Sequence, residues 1–324
     1  MTASSVSRTA AILLLLAAAA PVRGDPLPGE ILKFRQAPMI ATPIPPVPGA
    51  LTYFGHDELS TAYGSSIQGP YQGRFMADDF ADRFDTPVVH LRWWGSYMGQ
   101  EHIYGTGVKR FYIGFESDVP VGPDNPFSHP GTPLLEQFVT KGPLAPGSGT
   151  FTETLIRPPD PLIGEALYEY NAELTCPFPE RPDTVYWLKV VALVNPQEDG
   201  AIEWGWHNRD YTVPNPLAST APAVVPGEAI AGFLPTVPPT PVWHFQDDAV
   251  QGSIVTVFTA PCQANTDQFA MAPQNYVVEL DGPPPIDEFS KDLAFELYTI
   301  PEPPTGILAL VGTLIAWRCR ARRA

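Results

Sequence analysis

In one short segment after another, apolar and polar residues alternate with a period of two, and that period admits few folds. In VVHLRWWG, Val89, Leu91 and Trp93 share one face while His90, Arg92 and Trp94 share the other. Phe111, Ile113 and Phe115 alternate with Tyr112, Gly114 and Glu116, and Leu293, Phe295 and Leu297 alternate with Ala294, Glu296 and Tyr298. Such segments predict half-buried antiparallel strands, with Leu91 and Trp93 inward and Trp94 the more exposed tryptophan. The segment TVYWLKVVALV (184–194) is apolar on both faces, which predicts a central strand covered on both sides. Ile202, Trp204 and Trp206 line one face of the next strand, beyond a short turn at 195–200. Further strands are expected around 134–140, 150–157, 166–171 and 252–259.

The 40 prolines and 26 glycines punctuate these strands, and an aromatic content of 11% supplies packed cores. PMIATPIPPVP (38–48) predicts an extended linker of polyproline type. Residues 235–241 and 283–285 read as loops. The expectation is an all-β chain: an antiparallel, jelly-roll-like β-sandwich over 51–299, preceded by a Pro-rich linker at 25–50.

The two ends follow different rules. Arg8 precedes the apolar run AAILLLLAAAA, the pattern of a secretory signal helix, which assigns residues 1–24 to a cleaved signal peptide. No cysteine follows that run until Cys176, which argues against a lipoprotein. Residues 300–324 contain a Pro301-Glu302-Pro303 triplet, an apolar run from about Gly306 to Trp317, and Arg318, Arg320, Arg322 and Arg323. A helix of that run spans about 18 Å, short against a bilayer core of about 30 Å, and the arginines favour the cytoplasmic side. A C-terminal core helix and an ordinary tail anchor are the competing readings.

That order of triplet, hydrophobic sorting helix and terminal arginines resembles the PEP-CTERM sorting signal of Gram-negative bacteria, on which an exosortase acts. The resemblance implies export through the inner membrane to the cell surface or extracellular matrix. It also implies an exosortase partner, and membrane contact only through the tail before processing. In addition, FMADDF (75–80), HLRWWGSY (90–97) and DLAFELYT (292–299) look like modules of secreted bacterial proteins, which implies a β-sandwich but no chemistry.

Formal net charge is −16; without Arg8, Arg23, the four tail arginines and Glu302, 13 basic and 34 acidic residues remain, near −21. A body so acidic repels nucleic acid and anionic lipid and tolerates divalent cations. With Cys319 in the tail, Cys176 and Cys262 are left as a candidate disulfide, decided by whether their Cβ atoms approach.

Asp78 and Asp79 are the most suggestive polar pair. An inward carboxylate needs a partner, and calcium suits such oxygens in a secreted protein; a backbone-bonding Asp is the plainer alternative. No other cofactor is indicated. Trp94, with His90 and Arg92 beside it, is the leading candidate for stacking on extracellular polysaccharide, followed by Trp204, Trp206 and Trp243. Aromatic rings dominate sandwich cores by area alone, so core packing is the plainer reading for all four. His56, His90, His102, His129, His207 and His244 form neither HxH nor HExxH, and no GxSxG elbow occurs. Glycoside hydrolysis needs only two carboxylates, for which Glu203 is the first residue to test. The sequence therefore favours a secreted, non-catalytic structural or adhesive protein. A carbohydrate-binding module is the alternative, and a polysaccharide hydrolase a more distant one.

Overall fold

The computed structural model describes residues 26–43, 52–98, 107–120, 129–159, 165–210, 249–256, 262, 277–278 and 292–301. The signal segment, the tail from Glu302 through Arg318, Arg320, Arg322 and Arg323, and Trp243, His102 and His244 lie outside them.

In chain order the elements are β1 (Ile31–Gln36), β2 (Thr42–Pro43), β3 (Thr52–Tyr53), β4 (Asp57–Leu59), β5 (Thr61–Tyr63) and β6 (Tyr71–Phe80). Then come β7 (Val88–Tyr97), β8 (Arg110–Val119), β9 (His129–Lys141), β10 (Thr150–Arg157), β11 (Leu167–Phe178) and β12 (Tyr186–Val194). A one-turn helix α1 (Pro196–Asp199), β13 (Trp204–His207), β14 (Val250–Thr256), β15 (Val277–Val278) and β16 (Phe295–Thr299) complete the set. The main sheet runs β1-β16-β7-β11-β10-β9-β8-β12-β5-β6-β14-β15; β13 pairs with β4 and β7, and β12 also pairs with β6. The sheet is mixed, because β9–β10 and β5–β12 are parallel.

The chain is an all-β sandwich, because strands far apart in that order meet face to face. Trp93 of β7 lies 5.1 Å from Phe111 of β8, and Phe34 of β1 lies 6.1 Å from Phe80 of β6, ring centre to ring centre. Leu91, Trp93, Phe111, Ile113, Phe115, Phe295 and Leu297 all join this core, as their alternation predicts.

All nine residues of β12 are buried. The strand pairs with β8 on one side and with β5 and β6 on the other. Leu188, Val190 and Ala192 enter the main core, while Trp187, Val191 and Leu193 pack with Tyr71, Phe75 and Tyr112 in a second cluster. Two apolar faces thus do mark the central strand.

One boundary is corrected. The sheet starts at Ile31, inside the segment expected to be linker, and β1 pairs antiparallel with β16. The reason lies in a register shift between Leu32 and Phe34, which leaves Lys33 as the extra residue. Such a bulge lets two consecutive side chains turn inward, so Lys33 and Phe34 are both buried. Lys33 is held by Glu180, by Asp82 at 3.7 Å and by the Thr86 carbonyl. Burial pushes its amine down to about 8 and the Asp82 carboxyl up to about 6. Cys176, on β11, forms a disulfide with Cys262, with their Cα atoms 5.7 Å apart.

Candidate functional site

The outer face of the β16-β7-β11 layer carries a ladder of polar side chains set by strand register. On β7, His90 stands opposite Glu173, Arg92 opposite Asn171 and Trp94 opposite Glu169 of β11. From β16, Glu296 stands opposite Arg92 and Tyr298 opposite His90. Arg92 Nε donates to Asn171 Oδ1 at 2.8 Å and Nη1 to Glu296 Oε2 at 3.0 Å. Arg35 approaches the other Glu296 oxygen at 3.0 Å, and the Tyr298 hydroxyl donates to Glu296. Asn171 Nδ2 donates to Glu169 Oε1 at 3.0 Å.

His90 is the deepest member, and its side chain is wholly buried. Its Nδ1 lies 2.8 Å from Glu173 Oε1 and 3.4 Å from Glu30 Oε2. Glu30 is delivered by the turn before β1, where Gly29 has φ +100° and Leu27 N donates to Glu30 Oε2 at 2.8 Å. Burial pushes the Glu30 carboxyl up to about 6 against the pull of His90, and Glu173 adds to the rise. Sequence alone does not single out these two carboxylates, because the strand expected at 166–171 stops short of Glu173 and Glu30 falls in the segment expected to be linker. The period-two string Glu169-Asn171-Glu173 was the available signal.

Trp94 lies on this face as expected, but it is only 4% exposed, packed with Leu167 and Ala294. Its ring offers no open platform, because a third, small apolar cluster covers a face that alternation alone marks as polar. Trp204 and Trp206 are buried in the main core. Their indole N–H groups donate to the Tyr170 hydroxyl at 3.1 Å and the Ala294 carbonyl at 2.9 Å.

Asp78 and Asp79 are both fully buried but lie on opposite faces of β6, as adjacent strand residues must. Asp78 bonds backbone: Oδ2 accepts from Leu293 N at 2.7 Å and Oδ1 from Asp79 N at 2.9 Å. The two carboxylates therefore do not converge on a shared calcium position.

A serine, an aspartate and a histidine meet elsewhere, but not as a nucleophile relay. Ser96 Oγ donates to Asp57 Oδ2 at 2.8 Å, and His207 Nδ1 lies 3.0 Å from Asp57 Oδ1. His207 Nε2 points at the Met39 carbonyl, at 2.7 Å. Neither nitrogen of His207 faces Ser96, which a histidine base must do to activate a hydroxyl. Burial pushes the Asp57 carboxyl up, but the charge and hydrogen bond of His207, with the bond from Ser96, hold it below its ordinary value. Glu203 is exposed, beside the buried Trp204.

The sequence profile of a domain of unknown function (DUF7901) matches residues 32–297. No curated protein and no solved structure matches the chain.

Proposed function

Because the chain belongs to the family of the DUF7901 domain, for which no function is described, we propose its role from its own residues. It is a secreted, non-catalytic structural or adhesive sandwich, sorted by an exosortase to the cell surface or extracellular matrix. The observation that carries this reading is the order of Pro301-Glu302-Pro303, apolar run and four arginines at the end of the chain. The domain is consistent with a structural role: Arg92 of the polar ladder is tied to Asn171 and Glu296 on the two neighbouring strands. The carbohydrate-binding alternative is weakened at its leading ring, because Trp94 is buried.

Mass spectrometry of the surface fraction tests the reading. Processing is expected at Pro301–Pro303, giving mature protein that lacks Arg318 to Arg323. Intact precursor free in the cytoplasm of the native host overturns the export premise. Arginines retained on surface-exposed protein make an uncleaved anchor the better account. Specific retention of the mature body on a glycan array selects the carbohydrate-binding alternative, and turnover of extracellular polysaccharide overturns the non-catalytic part.

A further inference from the structure

His90, Glu173 and Glu30 bring one imidazole and two carboxylates together at a buried point. Asn171 Oδ1 accepts from Arg92 Nε, which identifies that atom as the carbonyl oxygen. The same oxygen lies 3.3 Å from His90 Nε2 and so faces a proton on that nitrogen. Nδ1 of His90 faces two carboxylates. Their nearest oxygens stand 2.8 and 3.4 Å away, and all three side chains are at most 2% exposed.

Two carboxylates enclosed without compensation cost several kcal/mol. Protons on the cluster, including one shared between Glu30 and Glu173, are one remedy. A divalent ion between Nδ1 and the two carboxylates neutralises both and uses the lone pair.

We propose that Glu30, His90 and Glu173 form a binding site for a divalent transition-metal ion of the zinc type. Their donor atoms all lie within 4.8 Å of one another. A tetrahedral centre with bonds near 2.0–2.1 Å holds its donors about 3.3 Å apart, so little movement closes the set. One imidazole with two carboxylates favours zinc or manganese over calcium, which takes oxygen ligands. Asn171 plays the part of the carbonyl that orients a ligating histidine through its far nitrogen. Glu30 sits on the turn that opens β1, so closing that turn over the sheet encloses the ion. The site then fastens the chain leading into β1 to β7 and β11.

The test is calorimetric titration of the chelator-treated full chain with zinc chloride, then manganese and calcium chloride, alongside thermal unfolding. One zinc per chain and a raised unfolding midpoint are expected. Glu30→Gln, which keeps an oxygen for Leu27 N, and His90→Gln should each weaken zinc at least about ten-fold. Where His90→Gln fails to fold, Glu30→Gln decides alone. Nitrogen-15 spectra should keep the proton on His90 Nε2 and shift Nδ1 on zinc addition. No zinc uptake by folded chain, undiminished uptake in folded variants, preference for calcium, or a His90 doubly protonated at neutral pH in saturating zinc each overturns the site.

Discussion

Lys189 Nζ stands 2.6 Å from Glu116 Oε1, with both side chains completely buried. β12 brings the amine and β8 the carboxylate, and the ring of Phe75 lies 4.0 Å from the amine. Burial pushes the lysine down and the glutamate up, while each one's charge opposes the shift of the other. Breaking one partner strands the other charge in the interior. Lys189→Met is therefore expected to lose about 3–5 kcal/mol, and Lys189→Met with Glu116→Leu to recover much of it. Urea unfolding of the single and double variants checks this; a neutral single variant contradicts it.

Stability should rise as the medium becomes mildly acidic. Burial pushes the Glu136 carboxyl up to about 7 and that of Asp82 up to about 6. In the unfolded chain such groups titrate near about 4. The folded state thus holds these protons more tightly, and their contribution is full below about pH 4 and lost as pH rises through 6 and 7. The unfolding midpoint of chelator-treated protein should be higher at pH 5 than at pH 7.5. Glu136→Gln, which keeps an acceptor for the Tyr112 hydroxyl, should flatten the upper part of that slope.

Trp94→Ala should disturb folding, not sugar binding. The ring is buried against Leu167 and Ala294, and removing a buried aromatic ring costs about 3–5 kcal/mol. Affinity electrophoresis on polysaccharide should show unchanged retention for the folded variant, with the loss visible in denaturant unfolding.

The Cys176–Cys262 bond closes a loop with a sequence separation of 86 residues. Chain-entropy reasoning gives such a bond up to about 4–5 kcal/mol. Cys176→Ser, or reduction of the native chain, should lower the urea midpoint; an unchanged midpoint would place most of that loop's order elsewhere.

Much of the sandwich was readable from period alone. β10 falls at the expected 150–157, and the doubly apolar 184–194 segment contains the central β12. β1 was hidden because a bulge breaks its alternation and buries a lysine, which local sequence marks as solvent-facing. The polar ladder was hidden for a different reason. His90 was nominated with Arg92 and Trp94, but its true neighbour, Glu173, lies 83 residues away. The burial of a charge depends on such a distant partner. Period assigns a residue to a face but is silent on what covers that face: Trp94 sits on the polar face yet packs into a core, as the plainer reading of a sandwich tryptophan has it.

β16 lies between β1 and β7 in the sheet. Among the described residues the first strand has its hydrogen-bond partner in the last, so residues 31–36 must wait for residues 295–299. Pairings so distant along the chain form slowly, because loop closure precedes any reward. During synthesis the β1 edge of this sheet has no strand to pair with until residues 295–299 have emerged. That edge is therefore among the late pieces of the sandwich to take shape.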